Sequence, residues 1–380
     1  MSKVVVIECR SYDPEEVKTA ISRGLDLLGG TDRIFNKSEN VLLKPNILVG
    51  DNPDKGVITH PEIFNAVAET LQKNNLNLSY GDSPGFGSPK RAAEKSGLSN
   101  IAKKKGIKLA DFETIVHSPF EKGIILKNIP IAKGVLESDA IVSISKMKTH
   151  GFTRITGAVK NQFGCVPGLL KSEFHVKMPD IFDFSKVLID INNFLKPQLY
   201  IMDGIIAMEG NGPRGGELIS MNVILFSKDP VALDSVFCKL IDLDPEFVPT
   251  MKFGMESGLG TFKYNEIDIL GDYKDSLINK KFKVVRKPPD RFISSKNFPP
   301  FLKNLISPKP VIDYEMCVNC GKCVLQCPTD PKSVDWSHKK HAPYPSFDYN
   351  SCIRCYCCQE LCPHKAITIK TPLLGKIIGR

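Results

Sequence analysis

The chain is poor in the features that would settle its class at once. No apolar run approaches the roughly 20 residues that a membrane-spanning helix needs. The first residues, MSKVVVIECRSYDPEE, read as a strand and a helix start rather than as an export signal, so the expected location is cytoplasmic. Cysteine is almost missing from the first 300 residues, where only Cys9, Cys165 and Cys238 occur, which argues against a secreted disulfide scaffold. No G-K-[ST] follows the glycines of GDSPGFGSPK, so this is not a phosphate-binding P-loop. Gly210, Gly212 and Gly215 satisfy G-x-G-x-x-G, but a strand-like run follows where a dinucleotide site needs a helix. Neither a broad basic face nor a base-reading motif is present, and no nucleic-acid partner is expected.

With 380 residues, 42% hydrophobic and 24% charged, the chain is of ordinary globular composition and long enough for two domains. Short apolar runs at 4–9, 40–48, 76–82, 108–112, 139–145, 198–204, 222–227 and 266–271 read as strands. Helical patterns lie between them at 15–29, 62–74, 89–97, 182–195, 229–242 and 247–257. The run 113–134 reads as a hairpin excursion. This alternation predicts an α/β fold, a mostly parallel layered sheet with helices on both faces, followed by a small C-terminal α+β ferredoxin-like domain. The expected division is 1–275 for the α/β domain, 276–312 for a basic Pro-rich linker, 313–370 for the cysteine-rich domain and 371–380 for a tail. Between Lys280 and Pro310 nine Lys or Arg stand against one acid, Asp290, a local charge of +8. Phe292, Ile293, Phe298, Phe301, Leu302, Leu305 and Ile306 are too many apolar residues for a free linker. The segment is expected to pack on a domain and to dock an acidic partner, with peripheral membrane contact through 280–310 as an alternative.

Nine of the twelve cysteines lie between 317 and 362. A shift of 35 positions superposes Asp313, Tyr314, Cys317, Cys320, Cys323, Cys327 and Pro328 on Asp348, Tyr349, Cys352, Cys355, Cys358, Cys362 and Pro363. Each half has the C-x-x-C-x-x-C-x-x-x-C-P run of bacterial two-cluster ferredoxins, whose fourth cysteine ligates the other cluster. One 4Fe-4S cluster is therefore assigned to Cys317, Cys320, Cys323 and Cys362, and the other to Cys352, Cys355, Cys358 and Cys327. Cys357, whose counterpart is Lys322, is left over. Structural zinc is the alternative, but a zinc ribbon has no use for the third cysteine of each run.

Four stretches of the first domain carry polar or glycine residues where strands should end: KPN (44–46), GDSPGFG (81–87), SKMKTHGFTRITGAVKNQFG (145–164) and EGNGPRGGE (209–217). In open α/β sheets, ligands lie beyond the carboxyl ends of strands. Lys44, Lys146, Lys148, Arg154 and Lys160 there would favour an anion. Asp82 can be read as a turn and helix-entry residue or as part of the site. Candidate ligand-binding residues are Lys44, Asn46, Asp82, Lys160 and Asn161, and candidate proton donors are His150 and Lys148.

LLKPN (42–46), THPE (59–62), GDSPG (81–85), SKMKTHGFTRITGAVKNQFG (145–164), MDGIIAMEGNGP (202–213) and DPVALD (229–234) together resemble the domain-of-unknown-function 362 family over roughly residues 1–275. In that family a ferredoxin module is a common companion, and the activity is largely unassigned. His150 and Lys160 also keep the ten-residue spacing by which, in nickel-dependent lactate racemases, a metal-binding histidine precedes a cofactor-holding lysine. That looser similarity implies a further cofactor in the cleft. The leading expectation is an iron–sulfur oxidoreductase that takes low-potential electrons from a redox partner protein to an anionic ligand or cofactor. A non-enzymatic electron-transfer or metalloenzyme maturation subunit is the second reading, and redox-neutral racemase-type chemistry the third. Protein purified without oxygen is expected to hold about eight irons and eight sulfides per chain and no zinc. The Cys357→Ala variant should match it, and a loss of four irons in that variant would overturn the assignment.

Overall fold

The computed structural model describes residues 1–168, 170–289 and 299–378. Phe292, Ile293 and Phe298, named above as linker anchors, lie outside the described residues.

The large domain is built on a nine-stranded sheet. Its strands are β1 (Ser2–Glu8), β2 (Asn40–Pro45), β3 (Asn77–Tyr80), β4 (Lys108–Leu109), β7 (Ala140–His150), β8 (Arg154–Thr156), β9 (Leu199–Glu209), β10 (Glu217–Ser227) and β11 (Ile267–Gly271). Strands β5 (Ile115–Pro119) and β6 (Asn128–Ala132) form a separate hairpin, as expected for 113–134. The spatial order is β11-β1-β10-β9-β7-β2-β3-β4, with β8 folded back on β7. Pairing is parallel except around β10, which runs antiparallel to β1 and β9, and at β8.

The apolar-throughout strands have a direct cause. Val4 and Val6 enter one core, Val5 and Ile7 the other, and Leu42 is likewise opposed to Val41 and Leu43. A strand buried on both faces has no polar side to show. Helices Pro14–Leu27, Pro61–Lys73, Pro89–Lys95 and Leu98–Lys104 cover one face. Helices Ile181–Leu195, Pro230–Leu240 and Pro249–Glu256 cover the other.

Two sequence boundaries move. The run 89–97 ends at Lys95, and a second helix starts after Gly97, which holds a left-handed φ of 78°. Strand β7 continues to His150 instead of ending near Ser145, so Lys146, Lys148 and His150 all belong to the sheet. This corrects the placing of Lys146 in the cleft. Its ammonium lies 2.8 Å from the Asp203 carboxylate and donates to the Tyr12 hydroxyl at 2.7 Å, with both charges buried. Asp203 also accepts the Tyr12 hydroxyl and the His60 backbone N–H. Lys146 thus ties β7 and β9 to the two N-terminal helices. Arg154 is corrected as well, because its guanidinium donates to the Lys287 carbonyl.

The cysteine-rich region contains the antiparallel pair β12 (Lys309–Ile312) and β15 (Ile367–Lys370), and the short pair β13 (Val334–Asp335) and β14 (Ser346–Phe347). Its duplication is visible in the backbone. The four-residue helices Lys322–Leu325 and Cys357–Glu360 are 35 positions apart. Left-handed φ values occur at Asn319 and Gly321, and again at Arg354 and Tyr356. Wrapping a chain around a cube requires such turns, and at Arg354 and Tyr356 they carry a steric cost.

The described parts of the connecting segment contact both domains. Phe282 is buried in the large core, while the helix Pro300–Ile306 lies against the last helix, Leu373–Ile378, within the stretch expected to be a tail. Replacing Lys146 with Met leaves a buried carboxylate uncompensated and is expected to cost about 3–5 kcal/mol. The urea-unfolding midpoint reads this, and a loss below about 1 kcal/mol, typical of exposed pairs, would refute the structural role.

Candidate functional site

A cavity of about 90 Å³ opens where β2, β3 and β7 end. Its floor is a network of buried polar side chains. The Lys44 ammonium is 2.7 Å from the Asp82 carboxylate and donates to the Pro45 carbonyl and to Asn161 Oδ1. Asp82 Oδ2 accepts the Ile47 backbone N–H at 2.8 Å, and Asn161 Nδ2 donates to Ser143 Oγ. A Cβ at Gly164 would collide with the Asp82 carboxylate and the Lys44 ammonium, so the glycine keeps this floor intact.

The walls bring further cations. Lys148 Nζ donates to Asn46 Oδ1 at 2.7 Å and to the Val57 carbonyl at 2.6 Å. Lys171 donates to the carbonyl and hydroxyl of Ser83. Lys160 also lines the cavity, and among the described residues its ammonium has no carboxylate within ion-pair distance, only the Phe163 ring at 5.8 Å. The other wall comes from the cysteine-rich domain and consists of Cys357, Glu360 and Leu361. Four lysines (Lys44, Lys148, Lys160, Lys171) against two carboxylates (Asp82, Glu360) leave an excess of two positive charges when all are ionised.

All five proposed ligand-binding residues, Lys44, Asn46, Asp82, Lys160 and Asn161, therefore line one cavity, and so does Lys148. His150 does not. Its Nδ1 accepts the backbone N–H groups of Phe152 and Thr153, which leaves Nε2 to face Glu360 Oε2 at 3.5 Å. Burial pushes the imidazole down to about 4. His150 is thus a neutral prop behind Glu360. Burial by itself would raise the Glu360 carboxyl, but Lys160 and the two histidines around it more than offset this and hold it well below the usual carboxylate range.

Sequence reading missed Lys171, His175, Cys357 and Glu360. His175, stacked on Phe184 at 4.5 Å, lines the cavity with an Nδ1 that has no partner among the described residues. Cys357 and Glu360 had a legible signal. Their counterparts in the first half are Lys322 and Leu325, so the second half departs from the repeat at the positions that face the cleft.

The turn at 209–217 is another correction. It joins β9 to β10, and only Pro213 lines the cavity. The rest grips the small domain. Gln359 Nε2 donates to the Asn211 carbonyl, Asn211 Oδ1 and the Gly212 carbonyl at 2.9–3.1 Å. Arg214 forks onto Asp51 at 2.8 Å and donates its remaining Nη1 to the Leu361 carbonyl. Other motif residues serve the same cleft from behind. Thr59 accepts the Asn46 N–H, and His60 caps the helix Pro61–Lys73. The Asp234 carboxylate accepts the N–H groups of Ala158 and Val159, which fixes the short helix carrying Lys160 and Asn161.

In the small domain, Cys317, Cys320, Cys323 and Cys362 surround one space. Cys358 has Cys355, Cys352 and Cys327 among its electrostatic neighbours. Among the described residues no three His, Cys, Asp or Glu side chains converge as closely as a single ion requires. Eight cysteines in two runs of this spacing suit two cubes better than zinc.

Residues 41–239 match the family described as domain of unknown function (DUF362), a span of more than half the chain. The chain belongs to this family. Residues 316–366 match the 4Fe-4S dicluster domain, so the C-terminal part of this DUF362 protein holds two 4Fe-4S clusters and carries electrons. A thylakoid-associated protein of Synechocystis sp. is 32% identical over 260 residues, covering 68% of this chain and 80% of that protein. Among solved structures, the lactate racemase apoprotein of Thermoanaerobacterium thermosaccharolyticum aligns with a TM-score of 0.40 and 13% identity over 62% of this chain. A Thermotoga maritima protein aligns with a TM-score of 0.31 and 14% identity over 53%. The alignments span only 56% and 52% of those two structures.

Burial pushes the Lys148 and Lys171 ammonium groups down to about 7. Each is charged below that pH and neutral above it, so anion binding should weaken as pH rises through this value. Sulfate keeps its own charge across the range, and its affinity is expected to fall about tenfold between pH 6 and pH 8 by calorimetric titration. Equal affinity at both values would show that neither lysine faces the ligand.

Proposed function

We propose that this protein passes electrons from its two clusters to a small anionic ligand or cofactor bound between the domains, and that it acts as an iron–sulfur oxidoreductase. The observation that carries this reading is the composition of the cavity wall. One short helix supplies Cys358 to a cluster and Cys357 and Glu360 to the cleft. The cavity wall and a cluster ligand are thereby carried by one four-residue helix.

In this reading Cys317, Cys320, Cys323 and Cys362 hold one cluster, and Cys352, Cys355, Cys358 and Cys327 hold the other. The clusters supply one electron at a time. Lys160 anchors the anion, since among the described residues it is the cleft lysine whose ammonium has neither a hydrogen-bond acceptor nor a carboxylate in contact. Lys148, close to neutrality in its affinity for protons, is the proton donor at the ligand. Glu360, backed by His150, is the wall carboxylate whose charge interacts with Lys160 across the cleft. The cytoplasm is the fitting compartment, because thiolates stay reduced there. The electrons come from a redox partner protein.

Two variants test the path and the anchor separately. Lys160→Met should weaken sulfate binding at least about tenfold with both clusters intact, the loss of one charge-assisted contact. Arg214→Ala, which releases a grip on the Leu361 carbonyl, should keep sulfate affinity but slow the oxidation of reduced clusters by a cleft-bound acceptor. If Lys160→Met binds sulfate normally, the anchor is misassigned. If Arg214→Ala transfers electrons at the parental rate, the domain contact is not the electron path.

A further inference from the structure

The structure points to a second interacting surface, away from the cleft. We propose that the paired helices Pro300–Ile306 and Leu373–Ile378 form a foot that rests on an anionic lipid surface. The two helices approach closely, because a Cβ at Gly375 would collide with the Ile306 carbonyl. Each presents the same pattern outward. Phe301, Leu302 and Leu305 from one and Leu373, Leu374 and Ile377 from the other are all exposed, from 39% at Leu302 to 77% at Leu373. Scattered single apolar residues on a surface need no explanation, but six on one helix pair do.

Charge selects the occupant. Neither Pro299–Ile312 nor Ala366–Ile378 contains an acidic residue, while Lys303, Lys309, Lys370 and Lys376 lie within them. Lys370 and Lys376 are exposed. Asp180, the acid that acts on Lys303, is already engaged in capping the helix Ile181–Leu195. An apolar ridge whose own segments carry lysines and no acid matches the boundary between headgroups and acyl chains of an anionic bilayer. A protein partner would have to present an acidic rim around an apolar groove. Among the described residues no helix is long and apolar enough to cross a membrane, so the contact is a surface one.

The foot is not a loose appendage. Asn304 accepts from Arg354 Nη2 at 2.5 Å, and the Pro308 and Pro310 carbonyls accept from Tyr356 and Tyr349. Arg354 and Tyr356 flank Cys355, so the lipid-facing ridge is fixed to the half that contains Cys352, Cys355 and Cys358. The foot holds these cysteines near the membrane surface while the cleft stays on their other side.

Flotation of the full holoprotein with vesicles tests this. Phosphatidylcholine alone is compared with phosphatidylcholine containing roughly one-third phosphatidylglycerol, at low and at moderate salt. Binding is expected to favour the anionic vesicles at least about tenfold and to decline with salt. Leu373→Ser should lower it severalfold, and Leu373→Ser with Ile377→Ser at least about tenfold. Lys370→Glu with Lys376→Glu should abolish the preference for anionic lipid. Leu373 is too exposed for its loss to unfold the chain, and an unchanged iron–sulfur absorption spectrum verifies each variant. Vesicle binding unaffected by these substitutions would overturn the proposal. So would absence of binding, whether the substitutions leave the chain unaltered or abolish a concentration-dependent dimer, since a second copy would then cover the ridge.

Discussion

The contact between the short helix Cys357–Glu360 and the turn that joins β9 to β10 is the one on which the rest depends. Gln359 satisfies three acceptors of that turn, and Arg214 connects the Leu361 carbonyl to Asp51 at the cleft rim. Without it the large domain has an open polar edge, and the small one is a free ferredoxin. With it, one side of the cavity is a cluster-bearing helix. The bonds are neutral or forked and lie in a part-buried setting, where their geometry is well defined.

Burial then decides how the charges behave. The sheet removes Lys44, Lys146 and Lys148 from water, and the chain handles each differently. Lys146 is neutralised by Asp203, and Lys44 by Asp82. Lys148 meets only the neutral oxygens of Asn46 and Val57, and its proton affinity falls accordingly. The first two lysines hold strands and floor together; the third is left poised for proton exchange. A buried pair is poor evidence of extra stability, but it fixes which geometry the surrounding strands adopt.

Much of this was legible in the linear chain. The eight cluster cysteines, the duplication and the spare Cys357 follow from spacing, and the two-sided core follows from strands that are apolar at every position. Lys44, Asn46, Asp82, Lys160 and Asn161 could be gathered because each lies near a strand end. The same rule failed at Lys146 and His150, because β7 runs on to residue 150 and directs these side chains to Asp203 and Glu360. It failed again at 209–217, where a glycine-rich stretch makes a hairpin and an interdomain grip.

The sequence by itself determined the ligand spacing of the clusters, the α/β layering and the family, because these depend on local periodicity and on residues close in the chain. Only the tertiary structure decided that Cys357 and Glu360 face Lys160, and that Phe301 and Ile377 share one ridge. Those pairs lie about 200 and 76 positions apart in the chain. No local pattern encodes such contacts. They arise when the domain interface and the helix pair close, and the charge and solvent exposure at each site are set at that moment.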